Sequence, residues 1–256
     1  MNSGCHGLRL FQFDNLSKIA GVVHGISTRA GGVSEGRCES LNVSYTVGDT
    51  TENVDENLER VAHAVGARKK DLFAAYQVHG RHVTVVEAET EARPRCDVLV
   101  TRSPEKTLML RYADCTPVLL ADPKRRVVAA VHAGWRGSAV RAAGAAVEAL
   151  RDRFGCQPGD IVAGIGPAIG PCCYTVGQDV VEAFADRPGL FSGGDGGQRL
   201  DLWAANHQAL VEAGVASEQI EVAGICTQCQ SERFFSHRAN GGQPAGRFAA
   251  LIRLGP

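Results

Sequence analysis

Between residues 83 and 131 the chain alternates short apolar runs with connectors of only a few residues. The runs 83–87, 98–101, 108–111, 118–121 and 127–131 are dense in valine and leucine and predict strands. Connectors this short favour antiparallel or mixed pairing over repeated parallel crossovers, which need a dozen or more linking residues. On either side the period changes. Residues 54–65, 138–153, 176–184 and 202–213 predict helices, the last spaced apolar at Leu202, Ala205, Ala209 and Leu210. Runs at 161–165 and 220–225 predict further strands among the later helices. Strands gathered in the middle with helices around them predict one α+β layered domain over residues 1–256. Gly-rich pieces at 192–197 and 241–244 read as loops, too short to separate independent domains.

Composition changes this picture little. Hydrophobic residues make up 44% and charged residues 21%, an ordinary balance for a soluble globular protein. A net charge of -1 gives no bulk attraction to nucleic acid or an anionic membrane, and neither is expected as a partner. The one dense basic run, Lys124-Arg125-Arg126, follows Asp122-Pro123 between two strand-like runs and reads as a solvated hairpin turn. No stretch approaches the ~18 apolar residues of a membrane span. The segment from Met1 to His6 lacks the basic-then-apolar layout of a secretory signal. The nine cysteines, an odd number, then read as reduced thiols of a cytoplasmic protein rather than a disulfide framework.

Three segments far apart each deliver one soft-metal ligand: His79 in Gln77-Val78-His79-Gly80, Cys115 in Ala113-Asp114-Cys115, and His132 in His132-Ala133-Gly134-Trp135-Arg136-Gly137. Two imidazoles and one thiolate are a usual donor set for catalytic zinc, with a fourth position left for water or substrate. Each also has an ordinary structural reading, the histidines as satisfied polar residues and Cys115 as a small buried hydrophobe. The wide gaps between them leave convergence to the fold. The same donors could make a blue-copper site with an axial methionine. Only Met1 and Met109 exist, and Met109, six residues before Cys115, would stand on the order of 20 Å away along an extended strand at ~3.3 Å per residue. A metal-free cysteine hydrolase, with Cys115 as nucleophile and His79 or His132 as base, is a third reading. Cys226-x-x-Cys229 looks like half a zinc knuckle, but the adjacent Cys172-Cys173 makes a poor second half, and all four read as reduced thiols.

These segments also carry a resemblance. The chain resembles the YfiH family, known as laccase-domain or multicopper polyphenol oxidase proteins and named purine nucleoside phosphorylases. The likeness covers the motif from Ser27 to Ser34, Ser40-Leu41-Asn42, Gly48-Asp49 and all three ligand segments. It continues through the motif from Gly166 to Tyr174, Asp201-Leu202, Cys226-Thr227, Phe234-Phe235-Ser236 and Gly246-Arg247. Arg111-Tyr112 departs from the Leu-Thr usual before Ala-Asp-Cys, and the segment from Asn240 to Pro244 looks like a slight insertion. The resemblance implies layered mixed β-sheets flanked by helices, and His79, Cys115 and His132 as zinc ligands, with copper as the alternative. It implies phosphorolysis of adenosine, inosine and 5′-methylthioadenosine, with some adenosine deamination, so a purine nucleoside and phosphate are the expected partners. A metal-held water of lowered pKa would serve deamination, with Cys115 and His132 around it and Asp114 the nearest carboxylate to move protons. Asp114 adjoins Cys115, however, and on an extended strand would point to the opposite face. Phosphate asks for arginine, whose planar fork grips two oxygens and keeps its charge. Arg29 is the first choice, with Arg136 and Arg247 behind it.

Overall fold

The computed structural model describes residues 8–194 and 197–255. The N-terminal segment read for a signal lies outside the described residues. In chain order the early strands are β1 (Leu10–Phe11), β2 (Val22–Ser27), β3 (Leu72–Ala74), β4 (Val83–Val85), β5 (Val98–Thr101) and β6 (Thr107–Tyr112). There follow β7 (Thr116–Asp122), β8 (Val127–Ala133), β9 (Val162–Ile165), β10 (Phe191–Gly194), β11 (Gly197–Leu200), β12 (Ile220–Val222) and β13 (Phe248–Leu254). The helices are α1 (Asp14–Ser17), α2 (Thr51–Ala64), α3 (Trp135–Ala139), α4 (Ala142–Phe154), α5 (Gln178–Ala183) and α6 (Leu202–Glu212). A six-stranded sheet has the order β12-β9-β7-β8-β5-β4 and a five-stranded sheet the order β1-β2-β13-β6-β3, each mixing parallel and antiparallel pairs. The expected mixed-sheet architecture flanked by helices is the one observed.

Strand parity explains why the central runs are apolar throughout. In β8, Val127, Ala129 and Val131 face a core shared with α4 and α6, whereas Val128 and Ala130 face the second sheet. Successive side chains alternate faces, so a strand buried on both sides shows no polar phase. His132 falls in phase with Val128 and Ala130 and therefore turns toward the five-stranded sheet, where its ring lies 5.5 Å from that of Tyr112 on β6. On the outer face of that sheet, α2 packs Val54, Leu58 and Val61 against Ala249 and Leu251 of β13. The result is four layers, helix, sheet, sheet, helix, with one core between the sheets and others beneath the helices.

The basic run is the expected turn. Asp122 pairs with Val127 at the end of the β7–β8 hairpin, and its carboxylate accepts from the amides of Lys124 and Arg125 at 2.8 and 2.9 Å. Three expectations change. The helix expected over 138–153 is two helices broken at Val140 and Arg141, the latter in the left-handed region at φ 56°. The buried guanidinium of Arg187 takes the carbonyls of Ser138 and Ala139, the acceptors that a continuous helix would offer to residues 142 and 143. The piece 192–197, expected as a loop, contributes to an antiparallel hairpin of β10 and β11, with residues 195 and 196 outside the described ones. Finally β2 and β13, which pair centrally in the five-stranded sheet, fall outside the expected runs. Among the described residues no helix is long and apolar enough to cross a membrane.

His24 of β2 anchors the chain entry. Its ring is 1% exposed, stacks on Phe13 at 5.8 Å, and accepts from the Phe13 amide at 2.8 Å. Burial disfavours the imidazolium and lowers its pKa to about 4, against about 6.5 for the free side chain. The unfolded chain therefore binds the extra proton first, and stability is lost as pH falls from 6.5 toward 4. The loss amounts to roughly 3 kcal/mol over that window. Replacing the histidine by the non-titrating His24→Gln should remove that portion of the acid loss. Urea unfolding at pH 7 and pH 4.5 checks this, and an unaltered pH dependence in the variant would refute it.

Candidate metal centre

Three local conformations bring the donors together. Cys115 ends the β6–β7 connection, one residue before β7 begins, and His132 sits near the end of β8, where Pro117 is its register partner. His79 lies in a loop after β3, in the left-handed region at φ 61°. The ligand atoms of His79, Cys115 and His132 all lie within 4.8 Å of one another, and the imidazole centroids are 4.9 Å apart. His132 is buried, Cys115 half-buried and His79 exposed, so the cluster opens to solvent on one side.

Asp97 makes this possible, and nothing in the sequence pattern singled it out. It is fully buried at the entrance of β5, and its carboxylate accepts from the successive amides of Val78, His79 and Gly80 at 3.2, 3.0 and 2.7 Å. Three converging amides offset the cost of the left-handed residue. The same carboxylate meets His132 Nδ1 at 2.8 Å, and the Asp97 carbonyl accepts from the His132 amide at 2.8 Å. Burial works against ionisation of Asp97, but the bonds from His132 and Gly80 outweigh it and hold the carboxyl below its ordinary value. An ionised carboxylate can only accept, so Nδ1 carries a proton and Nε2 is the nitrogen left to a metal, which takes its lone pair once the imidazolium has lost the Nε2 proton. Burial likewise opposes ionisation of Cys115, yet the charge and hydrogen bond of His132 win and lower its pKa, while burial of His132 is outweighed by Cys115 and Asp97, which raise its own. The site is built for a thiolate.

The glycines of the His132–Gly137 segment have steric roles. A Cβ on Gly134 would lie 2.8 Å from Cys115 Sγ and 3.3 Å from His79 Cδ2, and one on Gly137 would lie 3.2 Å from the Gly80 carbonyl. Gly134 leaves room for the thiol; Gly137 lets the His79 loop close. Gln77 fixes that loop from its other end, donating to the Arg111 carbonyl at 2.8 Å and accepting from the Arg111 amide at 3.0 Å.

In front of the cluster lies a cleft of about 600 Å³, whose charged lining consists of Arg93, Arg95, Arg111 and Arg247 together with imidazoles. Among the described residues no carboxylate lines it. Arg95 is exposed, and its side chain has no hydrogen-bond or ion-pair partner among the described residues, whereas Arg93 and Arg111 each donate to the Ala75 carbonyl. His237 lines the same cleft.

The remaining candidates fall elsewhere. Asp114 turns away from the cluster, at φ 84°, and its two oxygens accept from Thr227 Oγ1 and the Arg238 amide, both at 2.7 Å. Its neighbour relationship to Cys115 thus serves the loop framework. Arg29 lines a separate pocket of about 170 Å³, donates to the carbonyls of Glu39 and Ser231, and lies over the Phe235 ring. Arg136 stacks on Trp135 at 4.2 Å, outside the cleft. Of the three expected arginines only Arg247 borders the cleft, joined by Arg111 at the position where the chain departs from the family pattern. Met109 is buried on the other face of its sheet with Leu251 and Val61, away from the cluster.

The donor set suits zinc, with three N and S atoms grouped and one side open. Asp97→Asn places an amide N–H against donors, and zinc affinity should fall about 10- to 100-fold. Gly134 has backbone angles open to any residue (φ -71°, ψ -178°). Gly134→Ala should therefore fold, yet lose zinc affinity by an order of magnitude because the thiol is displaced. Competition with a chromophoric chelator measures both, and wild-type affinity in either variant would refute the corresponding role.

Known proteins share this arrangement of chain and fold. A family model described as multi-copper polyphenol oxidoreductase laccase matches residues 23–255. Purine nucleoside phosphorylase YlmD of Geobacillus stearothermophilus is 37% identical over 250 residues, covering 91% of this chain and 90% of the relative. Purine nucleoside phosphorylase YfiH of Escherichia coli is 35% identical over 238 residues, covering 91% and 94%. The crystal structure of hypothetical protein YfiH from Bacillus licheniformis superposes with a TM-score of 0.89 at 36% identity, covering 93% of this chain and 94% of that one. With near full-length matches in both sequence and fold, the chain belongs to the laccase-domain family of YfiH and YlmD.

Proposed function

We propose that this protein is a zinc-dependent purine nucleoside phosphorylase working in the cleft above His79, Cys115 and His132. The substrates would be adenosine, inosine and 5′-methylthioadenosine, with adenosine deamination as a side activity. The relatives named purine nucleoside phosphorylase support an enzyme of this kind. The observation that carries the reading is the cleft itself: four arginines and, among the described residues, no carboxylate beside a three-donor cluster, in a chain whose net charge is -1. Such local excess of positive charge selects an anion, and guanidinium forks suit phosphate.

Arg95, Arg111 and Arg247 would hold phosphate, keeping it oriented as nucleophile toward C1′ of the ribose. As a phosphate oxygen bonds C1′, the bond from C1′ to the purine nitrogen breaks and the base leaves with its electron pair. The base then needs a proton, which His237, the imidazole lining the cleft outside the donor set, would supply. Bound zinc would supply Lewis acidity and, for deamination, water of lowered pKa. Asp97 keeps His132 in the tautomer that donates Nε2.

A second reading rests on the Cys115–His132 pair, whose thiolate and imidazolium character also suits a cysteine hydrolase. Activity that survives chelation and dies with a thiol alkylator would favour it. Oxidation of phenols with tightly held copper would favour the oxidase reading, for which a His₂Cys set is one ingredient.

Product analysis from adenosine decides the main reading. Ribose 1-phosphate and adenine should form only when phosphate is present, with inosine as a minor product. Absence of both products would remove the proposal. Because the Arg95 guanidinium has no hydrogen-bond or ion-pair partner among the described residues, Arg95→Ala should raise the KM for phosphate about tenfold, the worth of one charge-assisted hydrogen bond, with the thermal midpoint unchanged. Arg29→Ala should leave that KM unchanged. A reversed ranking would place phosphate in the Arg29 pocket instead.

A further inference from the structure

A second cluster of metal-binding side chains lies outside the cleft. Cys172 and Cys173 follow β9, and Cys226 and Cys229 follow β12; their four sulfurs all lie within 4.8 Å of one another. The Cys172–Cys229 and Cys173–Cys229 distances are 3.6 and 3.4 Å. Tetrahedral zinc with bonds of about 2.3 Å would set its sulfurs about 3.8 Å apart, close to this spacing, whereas disulfide sulfurs sit about 2 Å apart. Adjacent cysteines are an awkward chelating pair, but here a tight turn carries them. The amides of Cys173 and Tyr174 both donate to the Gly170 carbonyl, and both neighbouring sulfurs reach Cys229.

The second half is a knuckle. Cys226 Sγ accepts from the Gly170 amide at 3.3 Å. No histidine or carboxylate belongs to the group, and with four thiolates no coordination position is left open, the pattern of a structural rather than a catalytic ion. Cys172 and Cys229 are exposed, which leaves a path for the ion to enter.

We propose that these four cysteines form a tetrathiolate zinc site, separate from the His79/Cys115/His132 centre, that staples the loop after β9 to the loop after β12. The stapled loops already meet through Ala168 and Cys226, and they frame Asp114. The Ile169 amide donates to its carbonyl, and Thr227 Oγ1 to its carboxylate. An ion here would therefore hold the framework on which Cys115 stands. The inference is independent of phosphorolysis, since it asks only for thiolates and a cation.

Zinc reconstitution with metal analysis and zinc-edge X-ray absorption tests it. Wild-type protein should hold two equivalents, and Cys115→Ser and Cys229→Ser one each. In Cys115→Ser the remaining ion should show four sulfurs at about 2.3 Å. Cys229→Ser should lower the thermal midpoint by about 5 °C or more, because metal binding free energy is folding free energy. If either variant fails to fold, the wild-type absorption spectrum still decides, since two filled sites give a sulfur-dominated average shell and the catalytic centre alone gives a nitrogen- and oxygen-dominated one. A single equivalent in wild type, a Cys115→Ser protein without zinc, or an intact mass showing a Cys172–Cys229 or Cys173–Cys229 disulfide in protein purified under anaerobic conditions would overturn it.

Discussion

The Asp97 carboxylate has no contact with water, and four N–H donors converge on it. A buried carboxylate without partners would be costly enough to shift its own protonation, so the charge persists only because the His79 loop and His132 supply those donors. The dependence also runs the other way. The loop from Val78 to Gly80 holds its left-handed turn because the carboxylate collects three consecutive amides, and His132 has a defined tautomer because Nδ1 is engaged. One side chain thus couples the backbone of one ligand to the ring of another. Cys115 completes the set from the opposite edge of β8, in the space that Gly134 leaves free.

Layering supplies the direction. Because β8 is buried on both faces, its side chains divide between the helix core and the core between the sheets, and the parity of His132 sends it to the latter. There, arginines from the connection before β5, from β6 and from the start of β13 line one cleft, with no carboxylate in its lining among the described residues. The long-range field of the chain is nearly neutral, so attraction for an anion is a local property, strongest where low-dielectric walls focus it.

The strands from 98 to 131 and the helix α2 were legible in the sequence because they are long, local and strongly patterned. So were the three donors and the family, through short motifs whose residue types have few other uses together. The break between α3 and α4 was not legible, because Arg187, distant in sequence, takes the carbonyls that would have continued the helix. The pairing of β2 with β13 was equally hidden, since it joins segments more than two hundred residues apart and leaves no local period.

Residue types alone determined what chemistry is available: imidazole, thiol and guanidinium groups in a nearly neutral chain. The tertiary structure decided which of them act together. It set Asp97 against His132, carried Arg111 and Arg247 to the cleft while committing Arg29 to backbone carbonyls, and tied Asp114 to Thr227. It also drew two unpromising cysteine pairs into one cluster. The physical reason is common to all of these. Side-chain identity is a local property of the chain, whereas convergence depends on sheet register, strand parity and loop closure, which are settled by contacts between remote segments.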